Sequence, residues 1–260
     1  MPVFQRICIV FLIFVSCYTC AQERVTTFGL QFKPLISSKL LRTGVTQTIG
    51  DIFDFEVDQR MGFAFGGVMR KGFTDWFSIE TGINFVRRNY EARSFHPTNG
   101  NFDSTRFRII AYEIPISGLV FVRLSERIYM DAAFGLSFNM FPSDVSSVSF
   151  DRDLFQGSFR NSWAMNSSVL PWLNVGLSAN VGFEYRTEKS GYFYIGGSYL
   201  LPFRPSYNTF LVHERNSIRD EAFLRLSGNY LTIDLRYFFH EEPEKREIPD
   251  DELPAWMRKN

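Results

Sequence analysis

Eight stretches of this chain alternate apolar and polar residues with a period of two, and the gaps between them run long, short, long, short, long, short, long. Phe77, Ile79, Ile83 and Phe85, interleaved with Ser78, Glu80, Gly82 and Asn84, gather on one surface only if the segment is a strand, because successive strand side chains point to opposite faces. The pattern predicts an all-β fold, an eight-stranded antiparallel up-and-down transmembrane β-barrel with short periplasmic turns and long extracellular loops. A closed barrel is the sheet whose backbone is satisfied inside lipid.

The expected strands are 26–37, 59–70, 76–94, 106–123, 127–141, 170–186, 192–205 and 222–239. Tight connections fall at 71–75, 124–126 and 187–191, and long ones at 38–58, 95–105, 142–169 and 206–221. An even strand count returns both termini to the periplasm, in the bacterial outer membrane. At the start, Arg6 precedes an apolar run from Ile7 to Val15 and then Thr19-Cys20-Ala21. That is the layout of a secretory signal peptide over 1–21, cleaved after Ala21, which leaves a barrel over 22–239 and a tail over 240–260. The apolar run is shorter than the roughly 20 residues of a membrane helix, and neither Cys17 nor Cys20 has the flanking residues of a lipidation signal. Cys8, Cys17 and Cys20 leave with the signal, so no disulfide framework, thiolate chemistry or cysteine metal site is expected.

The 28 basic and 28 acidic residues balance, which excludes the strongly basic face that a nucleic-acid partner selects. Aromatic residues make up 17% of the chain and cluster at strand ends. Trp76, Tyr90, Phe203, Tyr207, Tyr237, Phe238 and Phe239 are placed for interfacial girdles against outer-membrane lipid and lipopolysaccharide.

Parity along each strand separates a lipid face from a lumen face. The inward set holds Lys33, Glu80, Glu113, Asp131, Glu184, Asp234 and Arg236, with Arg88, Arg123 and Arg186 nearer the ends. An interior of about eight strands is wide enough only for side chains to meet across it, and unpaired buried charges cost several kcal/mol each. These charges are therefore expected to form a salt-bridged plug, with a narrow conducting path as the alternative. Pro115 removes a ladder donor in mid-strand and is expected to mark a bulge.

A catalytic base needs a nucleophile within hydrogen-bond reach and an orienting acid, all held rigidly. His213-Glu214, with Ser217 and Asp220 nearby, would ride a polar loop; His96 precedes Pro97 in another loop, and His240 ends the last strand. All three histidines read as solvated, no two potential ligands show metal spacing within one element, and neither catalysis nor a cofactor is expected. The segment 142–169 carries Phe155, Phe159 and Trp163 among charged residues, so it either folds over the barrel mouth or meets a partner. In the tail, charge and three prolines predict disorder, with Trp256 and Met257 spaced as a short anchor for a protein complex in the periplasm.

The signal ending Cys20-Ala21-Gln22, the strands Glu80-Thr81-Gly82-Ile83-Asn84-Phe85 and Tyr112-Glu113-Ile114-Pro115-Ile116, and the closing segment from Gly228 to Phe238 together resemble the Bacteroidota outer-membrane β-barrel family that includes PorT. The resemblance implies a non-enzymatic barrel that supports type IX secretion and gliding. The expected role is thus a structural or accessory subunit of an envelope complex, for secretion or barrel assembly. A small transport barrel for ions or a hydrophobic solute is the alternative, and an outer-membrane enzyme a more distant one.

Overall fold

The computed structural model describes residues 26–37, 45–97, 102–149, 154–161, 173–187, 189–215 and 218–240. The expected signal peptide, Trp163 and the tail anchor at Trp256 and Met257 lie outside these residues. The strands are β1 (Thr26–Ile36), β2 (Val45–Ile49), β3 (Asp54–Thr74), β4 (Phe77–Phe95), β5 (Phe102–Arg123), β6 (Ile128–Met140), β7 (Val145–Ser149), β8 (Leu154–Asn161), β9 (Leu173–Arg186), β10 (Tyr192–Pro202), β11 (Tyr207–Arg215), β12 (Ile218–Leu226) and β13 (Tyr230–Phe238).

Eight of them form a closed antiparallel ring in the order β1-β13-β10-β9-β6-β5-β4-β3, with β3 returning to β1. Phe32 faces Leu235 on one side and Phe65 on the other, so β1 joins both ends of the sheet. Apart from the β13–β1 closure, each strand pairs with its successor along the ring, which is the up-and-down topology the gap lengths imply. The tight connections and the outer ends of β1 and β13 share one rim, here the short-turn end; the longer connections leave the opposite, loop end.

Outward positions such as Phe32, Phe65, Ile83, Ile116, Phe134, Phe183 and Ile195 are exposed apolar side chains. A closed barrel that turns such a belt outward is covered by lipid. On β5, Val122 to Tyr112 is about ten steps of roughly 3.4 Å, or about 26 Å along the barrel axis at a tilt of about 40°. That matches the apolar band of an outer-membrane barrel, about 25 Å tall.

Three strands are far longer than a crossing requires. β3, β4 and β5 run for 21, 19 and 22 residues, about twice the roughly 9–11 that span a membrane. They continue past the loop end as a wall, extended by β2 at the edge of β3. A register shift between Arg60 and Phe63 lies where the wall leaves the barrel. A second sheet of order β12-β11-β8-β7 lies against this wall. Phe53, Phe55, Val57, Tyr90, Ala92, Phe107 and Ile109 of the wall side and Tyr207, Leu211, Ala222, Leu224 and Leu226 of the second sheet form one buried core. Of the segment 142–169, the described strands β7 and β8 thus lie over the mouth in the second sheet; Phe155 pairs with His213 and Ser149, and Phe159 with Thr209 and Val145, by backbone register.

Several expectations need correction. The segment 222–239 is two strands: Gly228, at φ 75°, turns the chain out of β12 and into the barrel. Pro115 marks no bulge, since β5 keeps register with β6 straight through it. The ladder to β4 keeps the same register on either side and pauses only opposite Gly82 and Ile83, because proline lacks a donor. Of the expected girdle, Trp76, Phe203 and Phe239 are exposed, whereas Tyr90, Tyr207 and Phe238 are buried. Tyr90 and Tyr207 serve the core above the mouth, and Phe238 turns inward beneath Arg70.

Candidate functional site

The lumen is built from inward positions at three levels. Nearest the short-turn end, Arg70 on β3 bonds Glu184 of β9 and lies 3.1 Å from Glu80 of β4 and 4.0 Å from Asp131 of β6. Its guanidinium stacks on Phe238 at 4.1 Å. Arg236 spans from Glu80, at 2.5 Å, to Asp234, at 2.7 Å. At the next level Asp234 receives Lys33 at 3.2 Å, and Ser198 at 2.5 Å, Thr232 at 2.6 Å and Asn180 at 3.1 Å. Nearest the loop end, Tyr230 donates to Glu113, and Arg88, almost wholly buried, donates to the Gly228 carbonyl at 2.9 Å and to Asn139 at 3.2 Å.

All seven lumen charges expected from sequence thus face inward and are buried. Arg88 joins them, Arg186 is half-buried beside Glu184, and Arg123 is exposed at the rim, where its Nε bonds the Ser125 carbonyl. Arg70, the cation that gathers three carboxylates, was missed; its parity with Ala64 and Val68 is the signal that places it inward.

The interior is filled as well as paired. The Tyr194 ring lies across the lumen under Arg236 and donates to Asn180 at 2.6 Å. A Cβ on Gly182 or Gly196 would come within 2.3 or 2.2 Å of its hydroxyl, so those glycines leave the room the ring occupies. The cavity beside Lys33, Glu113, Ser198 and Thr232 measures about 10 Å³, the space of one water at most. By contrast, an apolar groove of about 680 Å³ bordered by Ile128, Phe183, Phe193, Ile195 and Leu235 opens on the outside, toward lipid. Interleaved with the upper polar levels, Leu35, Ala64, Val86, Ala111 and Leu200 belong to the same buried core as the wall and the second sheet, with Ala64 in register with Lys33 and Leu200 with Tyr230. An ion leaving the lumen at this end would have to pass between these apolar side chains and the paired charges, at a cost of several kcal/mol or more.

The second sheet is fixed to the wall by polar contacts too. Asp220 accepts the amides of Ile52 and Phe53 at 2.9 and 2.8 Å. Burial pushes its carboxyl up, but these amides and those of Asp51 and Glu221 outweigh it and hold the carboxyl below its ordinary range. His213 is buried rather than solvated. Its ring stacks on Phe53 at 4.0 Å, Nδ1 shares a hydrogen bond of 2.6 Å with Ser94 Oγ, and Nε2 lies 3.9 Å from Asp103 Oδ2. The sequence reading missed this trio because its members come from β11, β4 and β5. A catalytic relay requires a nucleophile that substrate can approach and an acid within hydrogen-bond reach of the base. Here the acid is at 3.9 Å and Ser94 is fully buried, an arrangement suited to joining the two sheets. Among the described residues no cluster of three His, Cys, Asp or Glu side chains has the geometry to hold a metal ion.

On the outer face of the wall, Glu91 accepts hydrogen bonds from Arg60, from Arg93 at 2.7 Å and from Arg106 at 3.0 Å. Burial raises its carboxyl, yet these three arginines bring it down to about 2. A depressed carboxylate contributes stability above its ordinary range and loses it as pH falls through the lowered value, so the contribution of the cluster is expected to outlast that of ordinary carboxylate pairs on acidification.

No protein-family model and no curated protein matches the sequence. Among solved structures, the chain is similar to the outer membrane protein OprG from Pseudomonas aeruginosa, at 11% identity and a TM-score of 0.48, over 83% of this chain and 96% of that one. It is also similar to the outer membrane protease OmpT from Escherichia coli, at 10% identity and a TM-score of 0.30, over 83% and 95%. Neither likeness carries an activity or a substrate to this chain. The closed ring, its apolar belt and its polar interior make it an outer-membrane β-barrel protein.

Proposed function

We propose that this chain is a non-conducting, non-catalytic outer-membrane barrel that serves as a structural or accessory subunit of an envelope complex. The observation that carries the reading is the filled lumen, with ion pairs crossing it and the side chains of the buried core packed around its loop end. A barrel closed in this way can anchor and display but has no route for a solute. Its short turns face the periplasm together with both termini, and the two-sheet head stands outside the cell. The likeness of the Glu80–Phe85, Tyr112–Ile116 and Gly228–Phe238 strands to PorT-like barrels supports type IX secretion as the process served, with barrel assembly next. The periplasmic contact is assigned to Trp256 and Met257, and a second contact to the segment carrying Phe155, Phe159 and Trp163, because aromatic anchors flanked by polar chain are what a docking segment presents.

A gentle-detergent pull-down of the tagged protein from native membranes, comparing the full chain with one ending at His240, tests the role. Partners present with the full chain and lost with the shorter one are expected. Partners kept by both forms would move the contact to the barrel or head, and a monomer with no companion would remove the subunit role.

A further inference from the structure

We infer that the outer face of the β3–β4–β5 wall is a binding site for the phosphorylated glycolipid headgroup of the outer leaflet, the lipid A part of lipopolysaccharide. The inference rests on the reading that the loop end faces outward.

The register stacks side chains in rows across the three strands. The row Phe65, Phe85 and Tyr112 is an aromatic cluster, with Phe65 to Phe85 at 5.2 Å and Phe85 to Tyr112 at 6.0 Å. It closes the apolar band, where an interfacial girdle belongs. The next row is Phe63, Arg87 and Ile110, then comes Arg60, Asn89 and Arg108, then Asp58, Glu91 and Arg106, then Glu56, Arg93 and Ser104. The arginines begin immediately above the aromatic row. Four residues separate Tyr112 from Arg108, and six separate it from Arg106, which is about 10–16 Å along the axis at roughly 3.4 Å per residue and a tilt of about 40°. The Arg87 row, two residues above Tyr112, stands about 5 Å up, within a polar headgroup layer of about 5–7 Å, and Arg108 and Arg106 lie just outside that layer.

The charges there are unequal. Arg60, Arg87, Arg93, Arg106 and Arg108 face Glu56, Asp58 and Glu91, five cations against three anions. Glu91 does not neutralise the patch. It accepts from Nε and Nη2 of Arg60, one Nη of Arg93 and Nε of Arg106, and each guanidinium carries five donors in a fixed fork. The carboxylate therefore holds three forks in a set arrangement while leaving most of their N–H groups to other acceptors. The Arg87 guanidinium is likewise steadied, at 5.8 Å from the Phe63 ring and by Asn89 at 3.3 Å. Arg106 remains 83% exposed and Arg60 47%. Planar forks arranged in advance bind phosphate in bidentate fashion, and the aromatic row below accommodates the acyl chains of the same molecule. This pairing of phosphate forks over an apolar face selects a phosphorylated lipid rather than a soluble anion.

The test is native mass spectrometry of the purified full-length protein in detergent, titrated with bisphosphorylated lipid A and with the same lipid dephosphorylated. The unaltered protein is expected to retain the phosphorylated form at least tenfold more strongly. R106Q/R108Q is expected to lose most of that preference, and R225Q, on the exposed face of β12, to keep it. Equal retention of the two lipids, or a preference untouched by R106Q/R108Q, would overturn the assignment. Orientation is read separately by placing a cysteine at Val148, an exposed position on β7, and labelling intact cells. Labelling supports the outer leaflet as the source; a cysteine that labels only after lysis would overturn it, whatever the lipid preference.

Discussion

Replacing Arg70 by Met is expected to destabilise the barrel by about 3–5 kcal/mol, the usual cost of removing one partner from a buried ionic cluster. Arg70 is the common partner of Glu80, Asp131 and Glu184 and sits between the rings of Phe238 and Phe121. Methionine would keep part of the ring packing and leave the carboxylates facing one another. Adding D131N to R70M is expected to restore part of the loss, because it removes the carboxylate that Arg70 faces at 4.0 Å without taking a partner from Arg236 or Arg186, and the penalty comes from uncompensated charge and not from missing volume. Urea unfolding in micelles, followed by tryptophan fluorescence, measures both. A loss below about 1 kcal/mol, which is what an exposed ion pair contributes, would show that the cluster is solvated and the lumen open.

A second large effect is expected in the head. Phe55 is fully buried between wall and second sheet, and truncation to Ala at such a site costs about 3–5 kcal/mol. The ring of the barrel is closed by its own ladders, so the loss should fall on β11 and β12. Their amides are expected to exchange at least 100-fold faster in F55A, since each tenfold corresponds to about 1.4 kcal/mol, while amides of β9, β10 and β13 keep their protection. Uniform acceleration through all strands would mean that barrel and head unfold as one unit.

The barrel was legible in the sequence because its organising force is one-dimensional. Tyr112, Ile116 and Val120 meet lipid while Ala111, Glu113 and Ser117 do not, and that contrast is written in alternate residues of one strand. The tight connections were equally plain, since short polar breaks separate long periodic runs. The head was not legible. Its strand β11 turns Tyr207, Thr209, Leu211 and His213 inward, a mixed set with no apolar alternation, and its strands find partners only because β3, β4 and β5 overrun the membrane. His213 looked like a solvated loop residue for the same reason: Phe53, Ser94 and Asp103, which bury it, are more than a hundred residues away in sequence. Arg70 was overlooked because the strand was expected to end there, whereas β3 continues to Thr74. Long-range pairing, not local pattern, decided each of these positions.

The closure of the lumen is the central claim, and single-channel recording of the purified full-length protein in a planar lipid bilayer tests it most directly. The expected result is an inserted protein, verified by heat-modifiable gel mobility, that gives no conductance steps under applied voltage. Regular steps of one size would contradict it, because ions would then be passing the Arg70–Glu184 and Lys33–Asp234 pairs and the side chains of the buried core around the loop end.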